Sequence, residues 1–200
     1  MGVTVENLGL RERKKIQTRN TIQREAFRLF DEKGYANTTV EEIAEAAEVS
    51  PSTFFRYFPS KEQVLMADDL DQVTVEALTR QPADLSTMQA FRRAFDITMA
   101  TVSADDWELE RTRQRLVFSL PELKVAQFHI YRRVVSELVE ADSRRTGRDP
   151  DDFELRIFFG ALAGALIAII DRSPGDIELM YRALDFIEAG MPLRSRNGSS

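Results

Sequence analysis

The sequence predicts an all-α protein, on three observations. Apolar residues recur at i, i+3, i+4 and i+7 along most of the chain. No stretch alternates apolar and polar residues as a half-buried strand does. Capping and breaking residues fall between the periodic segments.

Residues 1–9 carry no period and read as an arm. Leu10 to Lys33 forms the first helix, with Ile22, Ala26, Leu29 and Phe30 on one face and Gly34 just past its end. Thr38 to Lys61 then reads as two short helices separated by a tight turn. Thr38 or Thr39 caps the first, which carries Glu41 and Glu42 at its positive end. Ser50 caps the second, Pro51 takes its first position, where a missing N–H is harmless, and Pro59 stops it. A longer helix is expected from Ser60 through Val64, Leu65, Leu70 and Leu78 towards Pro82, joining two domains.

Beyond it, Ser86 opens a helix carrying Met88, Phe91, Phe95 and Met99, and another follows Ala104. Pro121 begins a long amphipathic segment that ends at Gly147. Asp149-Pro150 is expected to start the next helix, and Ser173-Pro174-Gly175 separates it from a last one ending near Gly190. The polar tail after Pro192 is expected to be disordered.

Two short helices at this spacing match a helix-turn-helix, whose second helix enters the major groove of double-stranded DNA. The side chains suit that task. Thr53, Arg56, Tyr57 and Lys61 offer donors for phosphate oxygens, Ser52 and Phe55 can lean on base edges, and Phe54 and Phe58 anchor the helix from behind. With Thr39 and Pro51 at the helix starts, these six form the expected DNA-binding set.

The runs Thr-Val-Glu-Glu-Ile-Ala and Val-Ser-Pro-Ser-Thr-Phe-Phe-Arg-Tyr-Phe-Pro-Ser-Lys-Glu resemble the DNA-binding signature of the TetR family of bacterial repressors. The resemblance extends upstream through Ala26, Leu29, Phe30, Gly34 and Tyr35 and covers roughly the first third of the chain. Ser52 stands where many members have Gly, and Phe55 where many have Tyr. The resemblance implies a helix-turn-helix domain over residues 1–60 and a helical effector-binding and dimerisation domain over 61–200, in outline similar to regulators common in actinobacteria. It also implies a repressor that leaves a palindromic operator when a small apolar or acyl-type effector binds.

The net charge of −6 looks unsuited to DNA. Its distribution answers this: Arg11, Arg13, Lys14, Lys15, Arg19, Arg24 and Arg28 outnumber Glu12 and Glu25, whereas acids outnumber bases from Gln63 onward. Fields beyond a Debye length of about 8–10 Å are screened, so a small reading end needs only its own charge. Cysteine is absent and His129 is the lone histidine, so no thiolate or multi-histidine metal site is available, and no cofactor is expected. The cysteine count suits a reducing cytoplasm. The apolar run 157–170 is expected to be too short to span a membrane, and no signal peptide is visible.

That run nonetheless belongs to a segment apolar almost all round, which must be covered on more than one side. Its small residues Gly160, Gly164, Ala165 and Ala168, with Met180 and Leu184 from the last helix, are the expected homodimer interface; a central helix in a monomer is the alternative. Phe91, Phe95, Met99, Trp107, Phe128, Tyr131 and Phe159 can line an apolar cavity or simply form core, with Arg115, Arg111, Gln114 and His129 as candidate polar contacts. No nucleophile–base pair and no glycine-rich phosphate loop emerges, so the chain is expected not to be an enzyme. An all-helical enzyme using the same cavity, or an interaction scaffold that ignores DNA, remains open. Retention of unmodified ligand together with specific DNA binding separates both from a regulator.

Overall fold

The computed structural model describes residues 9–66 and 69–193. Every regular element among them is helical: α1 Leu10–Lys33, α2 Val40–Ala46, α3 Pro51–Tyr57, α4 Lys61–Met66, α5 Asp69–Thr79, α6 Thr87–Thr101, α7 Ala104–Ser119, α8 Lys124–Thr146, α9 Phe153–Arg172 and α10 Ile177–Glu188, with one 3₁₀ turn at Pro121–Leu123. The all-α class is as the sequence predicts. Most of the expected arm and tail lies outside the described residues. The chain divides into two compact units, with the break between Ala67 and Asp68 rather than at residue 60. The reason is packing: Val64, Leu65 and Met66 of α4 are buried, and Gln23 of α1 donates to the Val64 carbonyl. The single helix expected from Ser60 towards Pro82 is described as α4 and α5, and Ala67 and Asp68 between them lie outside the described residues.

In the first unit, Ile22, Ala26, Phe27 and Phe30 of α1 meet a core completed by Ile43 of α2, Phe54 of α3 and the Phe58 that follows it. Thr39 caps α2 in a reciprocal box: its Oγ1 accepts from the Glu42 amide and the Glu42 carboxylate accepts from the Thr39 amide. The neighbouring Thr38 is instead buried, donating to the Gly34 carbonyl at 2.9 Å. Between α2 and α3 the chain reverses through Glu48, whose φ of 54° is left-handed, a conformation that costs a side-chain-bearing residue about 1–2 kcal/mol. Ser50 then caps α3 by accepting from the Thr53 amide, with Pro51 in the first turn.

The second unit has its own core, in which Leu78 of α5, Phe91, Ala94 and Phe95 of α6, Leu138 of α8, Leu155, Phe159 and Leu162 of α9, and Leu184 of α10 come together. Gly147 ends α8 in the left-handed conformation its sequence announces. The start of α9 differs from expectation. Asp149 and Pro150 form a turn closed by the Asp152 amide on the Asp149 carbonyl, and Asp152 is the actual cap, accepting from the Leu155 amide. At 20 residues, α9 as a whole is longer than the apolar run 157–170 and passes for a membrane-crossing helix by length and composition alone, as core helices of soluble proteins also do. Part of its surface nonetheless belongs to the core of this unit.

One buried ion pair fixes the connection between α5 and α6 to α8. Arg145 and Asp142 meet at 2.6 Å with side chains 1% and 0% exposed. The guanidinium also donates to the carbonyls of Pro82 and Leu85, while Thr87 donates to Asp142. Replacing Asp142 with Ala strands a buried cation and should lower unfolding free energy by about 3–5 kcal/mol. Urea denaturation checks this, and a loss below about 1 kcal/mol would contradict the reading.

Candidate nucleic-acid interface and effector cavity

Because Phe54 and Phe58 turn inward, the opposite face of α3 carries Pro51, Ser52, Phe55 and Arg56 in solvent. Phe55 is 50% exposed. Arg56 lies 5.3 Å over the half-buried ring of Tyr57, which orients its guanidinium. The Ser52 hydroxyl is 2.9 Å from the Ser50 hydroxyl, and Thr53 Oγ1 accepts from Ser50, so both side chains are tied to the cap of the reading helix. Thr39 is exposed at the start of α2.

Lys61, expected as a phosphate contact, is held here by the turn between α1 and α2. Its Nζ donates to the carbonyls of Tyr35 and Thr38 at 2.6 and 2.8 Å and lies 4.2 Å from the centre of the Tyr35 ring. The ammonium therefore clamps the turn between α1 and α2. Of the basic cluster, Arg11, Lys14, Lys15 and Arg24 are exposed, whereas Arg28 is held by Glu25 and Glu32. Arg19 lies 5.3 Å over Phe58 behind the reading helix.

The second unit holds two adjoining half-open cavities of about 130 and 400 Å³ that share Asp71, Gln114, Val134, Ala163, Leu166 and Ile170 as walls. The smaller of the two is lined by Phe91, Phe95, Met99 and Trp107, and the larger by Phe128 and Tyr131. Phe128 is largely exposed and stacks with Tyr131. Tyr131 donates to the Gly160 carbonyl at 3.1 Å. Two expected members do not belong. Phe159 is fully buried and packs its ring against Phe91 as core. Arg115 points to solvent and lines neither cavity, because Arg113, about 200° away around α7, occupies the wall instead. Arg113 and Glu110, together with Asp71, Thr74, Thr98 and Gln127, are wall residues that reading for aromatics overlooks.

Of the residues assigned to a dimer interface, Gly164 and Ala168 are exposed on α9, and Gly160 and Ala165 are half-buried. They share an outward apolar stripe with Phe153 at 76% and Ile157 at 57% exposure. Met180 and Leu184, by contrast, are buried in the core of their own protomer and offer no surface to a second one, since they lie on the inner face of α10.

A capped two-helix motif with an outward polar face and a separate helical unit around a cavity define a helix-turn-helix regulator. Comparison with known proteins agrees. Residues 22–67 match the model of the tetR family of bacterial regulatory proteins, and residues 85–192 match the MftR C-terminal domain. The HTH-type transcriptional regulator TcmR of Streptomyces glaucescens is 36% identical over 171 residues, covering 82% of this chain and 76% of TcmR. MftR of Mycobacterium tuberculosis is 24% identical over 188 residues, covering 90% of this chain and 93% of MftR. A solved TetR-type structure from Mesorhizobium loti shares the fold with a TM-score of 0.51 at 20% identity, covering 87% of this chain and 95% of that one. The chain belongs to the TetR family and is a DNA-binding transcriptional regulator.

The capping box supplies a measurable signature. The Lys33 ammonium, and next the Thr39 amide, hold the Glu42 carboxyl at about 2, below its ordinary 4.5. A lowered folded value means the stabilisation is present above the unfolded value and lost as pH falls through the folded one. An NMR titration of the Glu42 carboxyl carbon should show a midpoint near 2. A midpoint at the ordinary value would show both the Lys33 pair and the box open in solution.

Proposed function

We propose that this regulator is a ligand-responsive cytoplasmic repressor that binds a palindromic operator as a homodimer and is released when a small, mostly apolar effector enters the cavity of its second unit. The observation that carries the reading is the presence, in one chain, of an outward face on α3 and a half-open, aromatic-lined cavity in the second unit. Pro51, Ser52, Thr53, Phe55, Arg56 and Tyr57, with Thr39 at the start of α2, form the proposed contact surface. Lys61 contributes by holding the turn behind them.

The dimer reading is supported by the stripe Phe153, Ile157, Ala161, Gly164 and Ala168, which runs along α9 in solvent. A contiguous apolar face of this kind calls for a partner, and two-fold pairing is the commonest solution. Gly164 has no atom within 4 Å of the place a Cβ would occupy, so small residues there leave room for a second helix.

Release requires that the effector bind one conformation better than another, because equal affinity shifts no equilibrium. Leu70, Asp71 and Thr74 of α5 form part of the cavity wall, so occupancy acts directly on the helix that follows α4 in the chain. Leu70 is therefore both wall and link, and substituting it would disturb ligand affinity and signal together.

Footprinting on the DNA flanking the chain's own gene tests the reading. Wild-type protein should protect two half-sites whose centres lie about 34–36 Å apart. Gly164→Arg should give a monomeric mass by sedimentation and lose the paired protection. A wild-type monomer at micromolar concentration, or an unpaired site, would overturn the dimer; absence of any specific footprint there would overturn the proposed operator.

A further inference from the structure

The smaller cavity has a pair of hydroxyls set into its largely apolar wall. Thr74 of α5 and Thr98 of α6 both line it, in company with Phe91, Phe95, Met99 and Trp107. Their Oγ1 atoms lie 2.9 Å apart. Thr74 Oγ1 also lies 2.9 Å from the Leu70 carbonyl oxygen, and Thr98 Oγ1 3.0 Å from that of Ala94, each one helical turn back. Thr98 is fully buried and Thr74 half-buried, so a molecule in the cavity meets Thr74 with Thr98 behind it. The other polar groups of this wall are engaged elsewhere. The Trp107 indole N–H donates to the Gly175 carbonyl, and Gln114 Oε1 accepts from the Gly175 amide. Asp71 and Glu110 stand in ion pairs with Arg133 and Arg113.

The supply of protons limits what this pair can do. Each threonine brings one O–H donor and two acceptor lone pairs. Three oxygen–oxygen contacts of hydrogen-bond length therefore share two hydroxyl protons, and none is left over for a visitor. Lone pairs, by contrast, are in surplus. A ligand oxygen that can only accept, as in an ether or a ketone, would have to draw a hydroxyl proton to itself, leaving two of the three contacts with oxygen facing oxygen and no proton between. A ligand O–H or N–H can donate to Thr74 Oγ1 while both hydroxyls keep their bonds to the backbone. Among apolar side chains such a bond counts for more than it does in water, because a polar group left unmet there is costly.

We infer that Thr74, positioned by Thr98, is the head-group site of this cavity and selects a molecule with an apolar body ending in a hydrogen-bond donor, a hydroxyl or an N–H. The inference rests on the cavity being the effector site and narrows that reading to donor-bearing ligands. It also places the polar contact on α5, the helix that follows α4 in the chain, where α5 touches α6.

The test compares 1-octanol with its isomer heptyl methyl ether, which has the same atoms but no donor, each titrated into the full-length protein. Trp107 is the single tryptophan of the chain and lines the same cavity, so its emission reports occupancy. The two molecules differ in hydration, so the wild-type ratio of their affinities is the reference and its change in variants is the readout. Thr74→Val keeps the shape of the side chain and removes the acceptor; it should lower the octanol-to-ether ratio by about tenfold, the worth of one hydrogen bond. Thr74→Ser retains the hydroxyl and should hold the wild-type ratio. A ratio unchanged in Thr74→Val, or lowered as much in Thr74→Ser, overturns the assignment and leaves the cavity standing as a binding site. If neither molecule alters Trp107 emission in wild type, the cavity reading fails and the inference fails with it. Should Thr74→Val misfold, nuclear Overhauser contacts in the wild-type octanol complex decide instead. Contact between the hydroxyl-bearing methylene of octanol and the Thr74 methyl supports the site, and contact of Thr74 with the far end of the chain alone contradicts it.

Discussion

The reading helix α3 has seven residues, far too few to persist on its own, since an isolated helix shorter than about 12–15 residues is marginal in water. The proposed contact with DNA depends on how that helix is held. Phe54 and Phe58 are buried beneath it, Ser50 caps its start, and Arg19 of α1 covers Phe58 from behind. Inward anchoring of two rings four residues apart is what forces Pro51, Ser52, Phe55 and Arg56 outward together. The clamp of Lys61 on the Tyr35 and Thr38 carbonyls fixes the turn that leads into α2. The reading face is thus a consequence of core packing in the first unit.

In the second unit, α9 meets three environments at once. Leu155, Phe159 and Leu162 join the core, Ala163, Leu166 and Ile170 line the cavities, and Ile157, Gly164 and Ala168 face solvent. That division explains why the helix is apolar all round and yet little of it is buried within one protomer. Large side chains of α9 fill the core at Leu155, Phe159 and Leu162, while Gly164 and Ala168 keep part of its outer face small.

Helix starts and stops were legible because they rest on local chemistry. Thr39, Ser50 and Ser86 cap as their types and spacing announce, and Gly147 ends α8 in the conformation glycine favours. Properties set by distant packing were harder to read. Lys61 looks like a phosphate donor until the fold brings Tyr35 and Thr38 to it, and Met180 and Leu184 look as suited to an interface as to a core. The inward face of α7, Trp107, Glu110 and Gln114, mixes an aromatic with polar groups. Which arginine of α7 joins Gln114 in the wall is decided by how the helix packs, which places Arg113 there and Arg115 in solvent. Pro150 resembled a helix start, but an aspartate turn intervened and passed the capping role to Asp152.

In the proposed function, Arg56 meets phosphates while Lys61 serves the architecture behind it. The most direct measurement is the salt dependence of DNA binding for wild type, Arg56→Ala and Lys61→Met, alongside their stabilities in urea. Arg56→Ala should reduce the slope of log affinity against log salt by about 1 and leave stability nearly unchanged. Lys61→Met should weaken the fold of the first unit and keep the slope. A slope lost in Lys61→Met and retained in Arg56→Ala would contradict the account.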